Sequence, residues 1–154
     1  MRLREFLRGD FVILDLDARD VEGVVGELSA GAGRAGIGPV ELIEEKLLDR
    51  ERVHPTVMGS GLAIPHATVP GLEGPVIGVA LAGGEPVAFG GPDQEPVRVF
   101  FVLLSPPGRE REHVKLLARI CRLVRHEGFI EELERQETGR AVVEVIQRID
   151  DQHV

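Results

Sequence analysis

The chain lacks several features that mark common classes of protein. It has one cysteine, Cys121, among 154 residues, so it can form no internal disulfide and no zinc site built on thiolates alone. No apolar run approaches the roughly 20 residues that a membrane-spanning helix needs. Residues 1–8 alternate charged and apolar side chains, which predicts that no signal peptide is present. We therefore expect a cytoplasmic protein without membrane insertion.

An excess of positive charge is also lacking. The 18 Lys and Arg residues are outnumbered by 26 Asp and Glu residues, which gives a net charge of −8. Affinity for nucleic acid comes largely from clustered Lys and Arg. The arginines between residues 109 and 125 are mixed with glutamates, a pattern typical of a solvated helix face. The charge pattern therefore argues against a nucleic-acid partner.

Several motifs of ligand-binding and hydrolytic proteins are missing or out of context. No Gly-x-x-x-x-Gly-Lys-Ser/Thr run is present to hold a nucleotide phosphate, and no His-Glu-x-x-His pattern is present to bind zinc. Gly31-x-Gly33-x-x-Gly36 follows a predicted helix, whereas a dinucleotide-binding fingerprint follows a strand. Ser60 lacks the Gly-x-Ser-x-Gly context of a hydrolase nucleophile. We expect neither a metal nor a cofactor.

Hydrophobic periodicity predicts an α/β fold, a single domain over residues 1–154 with a central mixed β-sheet flanked by helices on both faces. Strands are predicted at residues 11–16, 61–65, 75–81 and 97–104, the last buried on both faces because it is almost continuously apolar. Helices are predicted after a cap at Asp20, over 39–49 with Pro39 in the first turn, from 111 to 124, over 129–133 and after a cap at Thr138. Residues 31–38 and 83–96 are predicted loops.

The most informative segment is Gly59-Ser60-Gly61-Leu62-Ala63-Ile64-Pro65-His66. The residue before a proline is driven into extended geometry and the proline fixes its own φ, so the imidazole of His66 is presented in one direction. The glycines before it carry no side chain that would obstruct a partner. This pattern is typical of a histidine that another macromolecule must reach.

Three further residues are candidates for binding phosphate beside His66. His113 falls in the first turn of a predicted helix, where anions are stabilised, although a capping or solvent-facing role is the plainer alternative. Arg50, at the end of the second helix, either binds phosphoryl oxygens through its planar fork, pairs with Glu51 or caps the helix. Thr56 can add a hydroxyl donor. Spacing alone does not establish that these side chains meet.

The remaining histidines and the cysteine have structural interpretations. His126 follows a long helix, where a cation is favourable, and His153 lies in a charged tail and is expected to be inert. His54 precedes Pro55 in a predicted loop. Cys121 falls on the apolar face of a predicted helix and is expected to be a packing residue.

Residues 50–66 carry a family resemblance. The run Arg50-Glu51-Arg52-Val53-His54-Pro55-Thr56-Val57-Met58-Gly59-Ser60-Gly61-Leu62-Ala63-Ile64-Pro65-His66 resembles the signature of the IIA domains of the bacterial sugar phosphotransferase system. The type is fructose/mannitol, which includes the nitrogen-regulatory IIA proteins. Glu112-His113-Val114 resembles the family's histidine-containing turn at a helix start. Met58 departs from the isoleucine frequent in the family, and the loop from Gly31 looks longer than usual.

The resemblance implies a phosphocarrier, which is a phosphotransferase component without metal or nucleotide. His66 would accept a phosphoryl group from the phosphohistidine carrier HPr, assisted by His113 and Arg50, with Thr56 in support. The group would pass to a cysteine of a IIB domain in sugar uptake. Alternatively it would remain as a regulatory mark that controls binding to partner proteins, a role that a stand-alone length favours. A third hypothesis, independent of the resemblance, is a small α/β protein that binds a metal or another ligand through His66.

Overall fold

A mixed β-sheet lies at the centre of the computed structural model, which describes residues 1–91 and 93–153. Its strands are β1 Leu7–Ile13, β2 Val57–Gly59, β3 Leu62–Ala63, β4 His66–Thr68, β5 Val76–Leu81 and β6 Val99–Ser105. The helices are α1 Val21–Arg34, α2 Val40–Val53, α3 Glu110–Leu123, α4 Phe129–Glu134 and α5 Gly139–Gln152. A short 3-10 helix at Leu3–Glu5 precedes β1.

Strand β6 is the centre of the sheet. The strand order is β1-β5-β6-β3-β2, and β4 also pairs with β6. β6 is antiparallel to β5 but parallel to β3 and β4, so the sheet is mixed as predicted. Every residue of β6 is buried, because its side chains alternate between two hydrophobic cores. The almost continuous apolar run of this strand is thereby explained.

The helices cover both faces of the sheet. Ile120 of α3 and Ile146 of α5 belong to one core, whereas Leu28 of α1 and Leu47 of α2 belong to the other. This three-layer arrangement confirms the predicted fold class. Within the described part of the chain, no helix is both long enough and apolar enough to cross a membrane.

The predicted helix caps at Asp20 and Thr138 are present. The side chain of Asp20 accepts a hydrogen bond from the backbone N–H of Gly23 at 2.8 Å. The hydroxyl of Thr138 accepts one from the N–H of Ala141 at 3.0 Å. Each cap satisfies a backbone donor that the first turn of its helix leaves without a partner.

The first predicted strand and the second are placed differently in the structure. β1 runs from Leu7 to Ile13 instead of over 11–16. It is an edge strand in which only Leu7 and Phe11 are buried, so it also includes the polar Arg8 and Asp10. Of the predicted strand 61–65 only β3, Leu62–Ala63, is a strand; a separate strand, β4, begins at His66, so His66 begins a strand rather than following one. Proline has no N–H to donate, and Pro65 stands at the interruption.

The segment 31–38, predicted as a loop, is helical as far as Arg34. A Cβ atom added at Gly33 would lie 2.3 Å from Cγ2 of Val40, so glycine at this position lets α1 approach the start of α2 closely. Pro39 is the N-cap of α2 rather than a residue of its first turn. α2 continues to Val53 instead of ending near residue 49, which places Arg50 in its last turn.

The connection predicted over 83–96 forms no helix or strand in its described residues, although Val87 makes a single bridge to Val97. Residue 92 of this segment lies outside the described residues.

Candidate active site

The sheet brings the two candidate histidines together. β4 runs parallel to β6, with His66 opposite Leu103 and Thr68 opposite Ser105. β6 ends at Ser105, and α3 begins shortly after it with His113 in its first turn, as predicted. The imidazole centroids of His66 and His113 lie 5.4 Å apart, with the rings tilted by 57°. Tertiary structure therefore supplies the proximity that spacing did not.

The proton of the His66 imidazole has a defined position. Its Nδ1 lies 2.7 Å from the carbonyl oxygen of Ile64. Because a carbonyl only accepts hydrogen bonds, Nδ1 carries the hydrogen and Nε2 keeps a lone pair. Burial lowers the pKa of His66, the Ile64 carbonyl opposes that change, and the charge of Arg50 adds to the lowering. His66 is therefore neutral at pH 7, with Nε2 available as a nucleophile.

The second imidazole is neutral as well. Burial, followed by the neighbouring His66, lowers the pKa of His113 to about 4, against the opposing effect of Glu110. Its Nδ1 lies 2.7 Å from Oγ of Ser105, a residue that is 1% exposed. A neutral imidazole has a single N–H, so His113 offers one donor at neutral pH.

Arg50 caps its helix, one of the roles considered for it. Its Nη1 donates to the carbonyl oxygen of His54 at 2.8 Å, and this bond satisfies a carbonyl at the C-terminus of α2. Arg50 and His66 also line the same surface depression. A guanidinium has several N–H donors, so the bond to His54 leaves others able to bind an anion.

Thr56 is held by a buried carboxylate. Its N–H donates to Oε2 of Glu51 at 2.6 Å and its hydroxyl to Oε1 of Glu51 at 2.8 Å. Both residues are buried, at 4% and 6% exposure. Burial raises the pKa of Glu51, and the two bonds from Thr56 act against it. In this conformation Thr56 donates its hydroxyl proton to Glu51. The two bonds of this pair hold the chain in place between Arg50 and His66.

Arg50 and His66 line a depression of about 350 Å³ with a partly apolar wall, and His113 is not part of its lining. Its lining includes Arg50, Thr56, Ile64, His66, Leu117 and Cys121. Cys121 is half-buried and burial raises the pKa of its thiol, in agreement with a packing role. Met58 also lines the depression and is 54% exposed. Val53, three residues after Arg50, and Val114, next to His113 in the chain, are 82% and 62% exposed.

The small residues before His66 form a turn. Ser60 and Gly61 have φ values of 56° and 83°, and they connect β2 to β3 in a hairpin. Hairpin turns of type I′ require positive φ at both central residues. Backbone geometry thus gives a reason for glycine at 61 besides the expected absence of a side chain that would obstruct a partner.

Two residues of this site were missed by the sequence reasoning. Ser105 directly follows the predicted strand 97–104 and is assigned no role from the sequence, and Glu51 is considered only as an ion-pair partner of Arg50. A polar residue at the end of an apolar strand, eight positions before a candidate histidine, is the signal that could have identified Ser105. Glu51 gave no such signal, because its burial depends on tertiary packing.

A second histidine pair lies outside this site. Nε2 of His153 and Nδ1 of His126 are 3.4 Å apart, with ring centroids separated by 5.6 Å. Over residues 1–91 and 93–153, no group of three or more His, Cys, Asp or Glu side chains is arranged to hold a metal ion.

The family of the chain follows from its match to a sequence profile. The profile described as "Phosphoenolpyruvate-dependent sugar phosphotransferase system, EIIA 2" matches residues 5–149. The chain belongs to this family. The resemblance stated from residues 50–66 is therefore confirmed.

The relatives of this chain include both nitrogen regulatory proteins and sugar-specific EIIA components. A nitrogen regulatory protein of Bradyrhizobium diazoefficiens is 30% identical over 95% of each chain. The fructose-specific EIIABC component of Bacillus subtilis is 25% identical over 97% of this chain, which spans 24% of that longer protein.

Solved structures share the fold. The nitrogen regulatory protein IIA-Ntr of Neisseria meningitidis superposes with a TM-score of 0.81 at 25% identity, covering 92% of this chain and 97% of that one. The mannitol IIA of Escherichia coli superposes with a TM-score of 0.76 at 20% identity, covering 90% and 97%.

Proposed function

We propose that this chain is a phosphocarrier that accepts a phosphoryl group on Nε2 of His66 from phospho-HPr and passes it to a IIB domain. The observation that carries the proposal is the bond from Nδ1 of His66 to the Ile64 carbonyl, 2.7 Å long. It leaves a neutral imidazole with its lone pair on Nε2, beside Arg50 and His113. We propose cytoplasmic localisation as well, because HPr would have to reach His66.

The transfer balances without a metal. The lone pair of Nε2 forms a bond to phosphorus while the N–P bond of the donor phosphohistidine breaks, and the donor ring recovers its electron pair. The His66 ring gains positive charge in this step, and its Nδ1–H bond to Ile64 stabilises that charge. Arg50 and His113 supply donors for the phosphoryl oxygens of a loose transition state. In the onward step the new N–P bond breaks as a cysteine thiolate of IIB attacks phosphorus.

The surroundings of His66 suit a protein as the donor and acceptor. The exposed Val53, Met58 and Val114 would be covered by a partner, and their burial would be favourable at about 25 cal/mol per Å² of apolar surface. Covering them would also exclude water from the depression. A solved complex of E. coli enzyme IIAMtl with phosphorylated enzyme IIBMtl, whose IIA fold matches this chain with a TM-score of 0.76, supports the choice of IIB as a partner.

The test is phosphorylation with purified components. Phosphoenolpyruvate, enzyme I and HPr are incubated with the protein, and its intact mass is measured. We expect one acid-labile phosphoryl group in the parent and in the control variant His54→Ala, and none in His66→Ala. An unmodified parent protein, under conditions that label another IIA protein, would contradict the proposal.

A second candidate function is regulation by phosphorylation state. Several relatives, including the one from B. diazoefficiens, are nitrogen regulatory proteins. A phosphoryl group on His66 would add negative charge amid exposed apolar side chains and would weaken the docking of an apolar partner surface. Mixing the phosphorylated protein with fructose- and mannitol-type IIB domains separates the two roles. Loss of the phosphoryl mass to IIB supports transport, whereas its retention favours regulation.

A further inference from the structure

His113 can assist phosphoryl transfer only if its one proton is on the correct nitrogen. A neutral imidazole carries N–H on either Nδ1 or Nε2, and the bond made by one nitrogen decides the other. Nδ1 is occupied by Ser105, so Nε2 is the nitrogen left to meet a phosphoryl group on His66. Nε2 donates to that group only when Nδ1 is bare and accepts a hydrogen bond.

The sheet holds Ser105 in place beside His113. It is the last residue of β6, 1% exposed, and its carbonyl accepts a hydrogen bond from the N–H of Val69 at 2.8 Å. Its Oγ lies 2.7 Å from Nδ1 of His113. A hydroxyl can either donate or accept at this distance. If it accepted, Nε2 of His113 would present a lone pair to phosphoryl oxygens and would repel them.

We propose that the Ser105 hydroxyl donates to Nδ1 of His113 and thereby holds His113 in the Nε2–H form that binds the phosphoryl group. Ser105 acts through His113 and touches no reacting atom, so it is a positioning residue. The inference rests on the proposed function for its consequence in transfer, but the tautomer itself is measurable without any transfer.

Nitrogen NMR of the imidazole rings in the folded parent protein tests the tautomer. We expect His113 to show a protonated Nε2 and a bare Nδ1, whereas His66 shows the opposite because its Nδ1 donates to the Ile64 carbonyl. In Ser105→Ala the His113 signals should move towards a mixture of the two forms, with those of His66 unchanged. A protonated Nδ1 on His113 in the parent would overturn the proposal, whether or not Ser105→Ala folds.

Transfer kinetics test the consequence. In Ser105→Ala we expect the maximal rate of transfer from phospho-HPr to fall roughly tenfold, the effect of about one hydrogen bond, with the half-saturating phospho-HPr concentration unchanged. Ser105→Thr retains the hydroxyl and should recover most of the rate. If Ser105→Ala transferred at the parent rate while His113→Ala was slow, the role of Ser105 would be wrong and the phosphocarrier function would stand. A parent protein that takes up no phosphoryl group would reject the function, and NMR would still decide the tautomer.

Discussion

Two pairs of neighbouring histidines in the described part of the chain have nearly the same separation, but their ring nitrogens have different partners. The ring centroids are 5.4 Å apart in His66–His113 and 5.6 Å apart in His126–His153. In the first pair each Nδ1 is bound to a third group, the Ile64 carbonyl or the Ser105 hydroxyl. In the second pair the ring nitrogens face each other.

The difference shows that two histidines at nearly the same separation can have different environments. The Ile64 carbonyl fixes the tautomer of His66, and burial lowers the pKa of both His66 and His113. The His66–His113 pair also lies beside Arg50, whose charge contributes to the lowered pKa of His66. The His126–His153 pair links the turn after α3 to the end of α5, which is a structural position.

The largest contrast is expected from the same substitution made in each pair. His113→Ala removes a hydrogen-bond donor from the phosphoryl group, so the rate of transfer from phospho-HPr should fall about 10²- to 10³-fold. His126→Ala should transfer at the parent rate. Single-turnover transfer, followed by intact mass, measures both. Similar rates for the two variants would abolish the distinction between the pairs.

The guanidinium beside the first pair should have the next largest effect. We expect Arg50→Gln to slow transfer by about 10²-fold, because it removes both the charge and the fork that binds phosphoryl oxygens. Arg50→Lys should recover only part of the rate, since an ammonium cannot bind in a bidentate manner. The same single-turnover assay applies, with Arg52→Gln as a matched control one position beyond Glu51. Full recovery in Arg50→Lys would show that only charge matters.

Stability should depend on pH through the first pair. The pKa of His113 is about 4 in the folded protein, below its ordinary 6.5. Between pH 4 and 6.5 the His113 imidazole is therefore protonated in the unfolded chain but largely neutral in the folded protein. Because the unfolded state binds more protons, the free energy of unfolding falls as pH decreases from 6.5 to 4. His66 acts in the same sense. Glu110 and Arg50 are the charged groups that modify the pKa values of His113 and His66, respectively.

Removing His113 should therefore flatten that dependence. Allowing for screening by solvent, we expect His113→Gln to remove about 1 to 2 kcal/mol of the loss between pH 6.5 and 4. Urea unfolding of the parent and the variant at both pH values measures this double difference, in which contributions from Glu51 and other carboxylates cancel. An equal pH dependence in both proteins would mean that His113 is protonated as readily when folded as when unfolded.

The parts of the site that were predictable are those with local causes. Pro65 fixes the approach to His66, a helix start places His113, and a helix end places Arg50, so each could be identified from its neighbours in sequence. The tautomers could not be identified, because the contact of Ser105 with His113 depends on where α3 begins relative to β6 and on how the ring turns. The buried Glu51–Thr56 pair is likewise a product of packing.

The fold shows the same distinction between features with local causes and features that depend on tertiary packing. The continuous apolar run of β6 was sufficient to predict a strand buried on both faces, because a strand with one solvated face typically alternates apolar and polar residues. The helical conformation of residues 31–34 was not predictable, because glycine has a low helix propensity. The reason for glycine at position 33 is tertiary: Val40 occupies the space that a side chain would need. Local propensity is overruled where two helices approach each other.

The smallest effect is expected in the second pair. The bond between His126 and His153 is long, at 3.4 Å, and both rings are only half-buried. His153→Ala should therefore lower the free energy of unfolding at pH 7.5 by no more than about 1 kcal/mol, with no change in transfer rate. Urea unfolding with His54→Ala as a control for an exposed histidine measures the difference. A loss of several kcal/mol would show that the His126–His153 pair anchors α5. A slower transfer would show that this pair contributes to phosphoryl transfer.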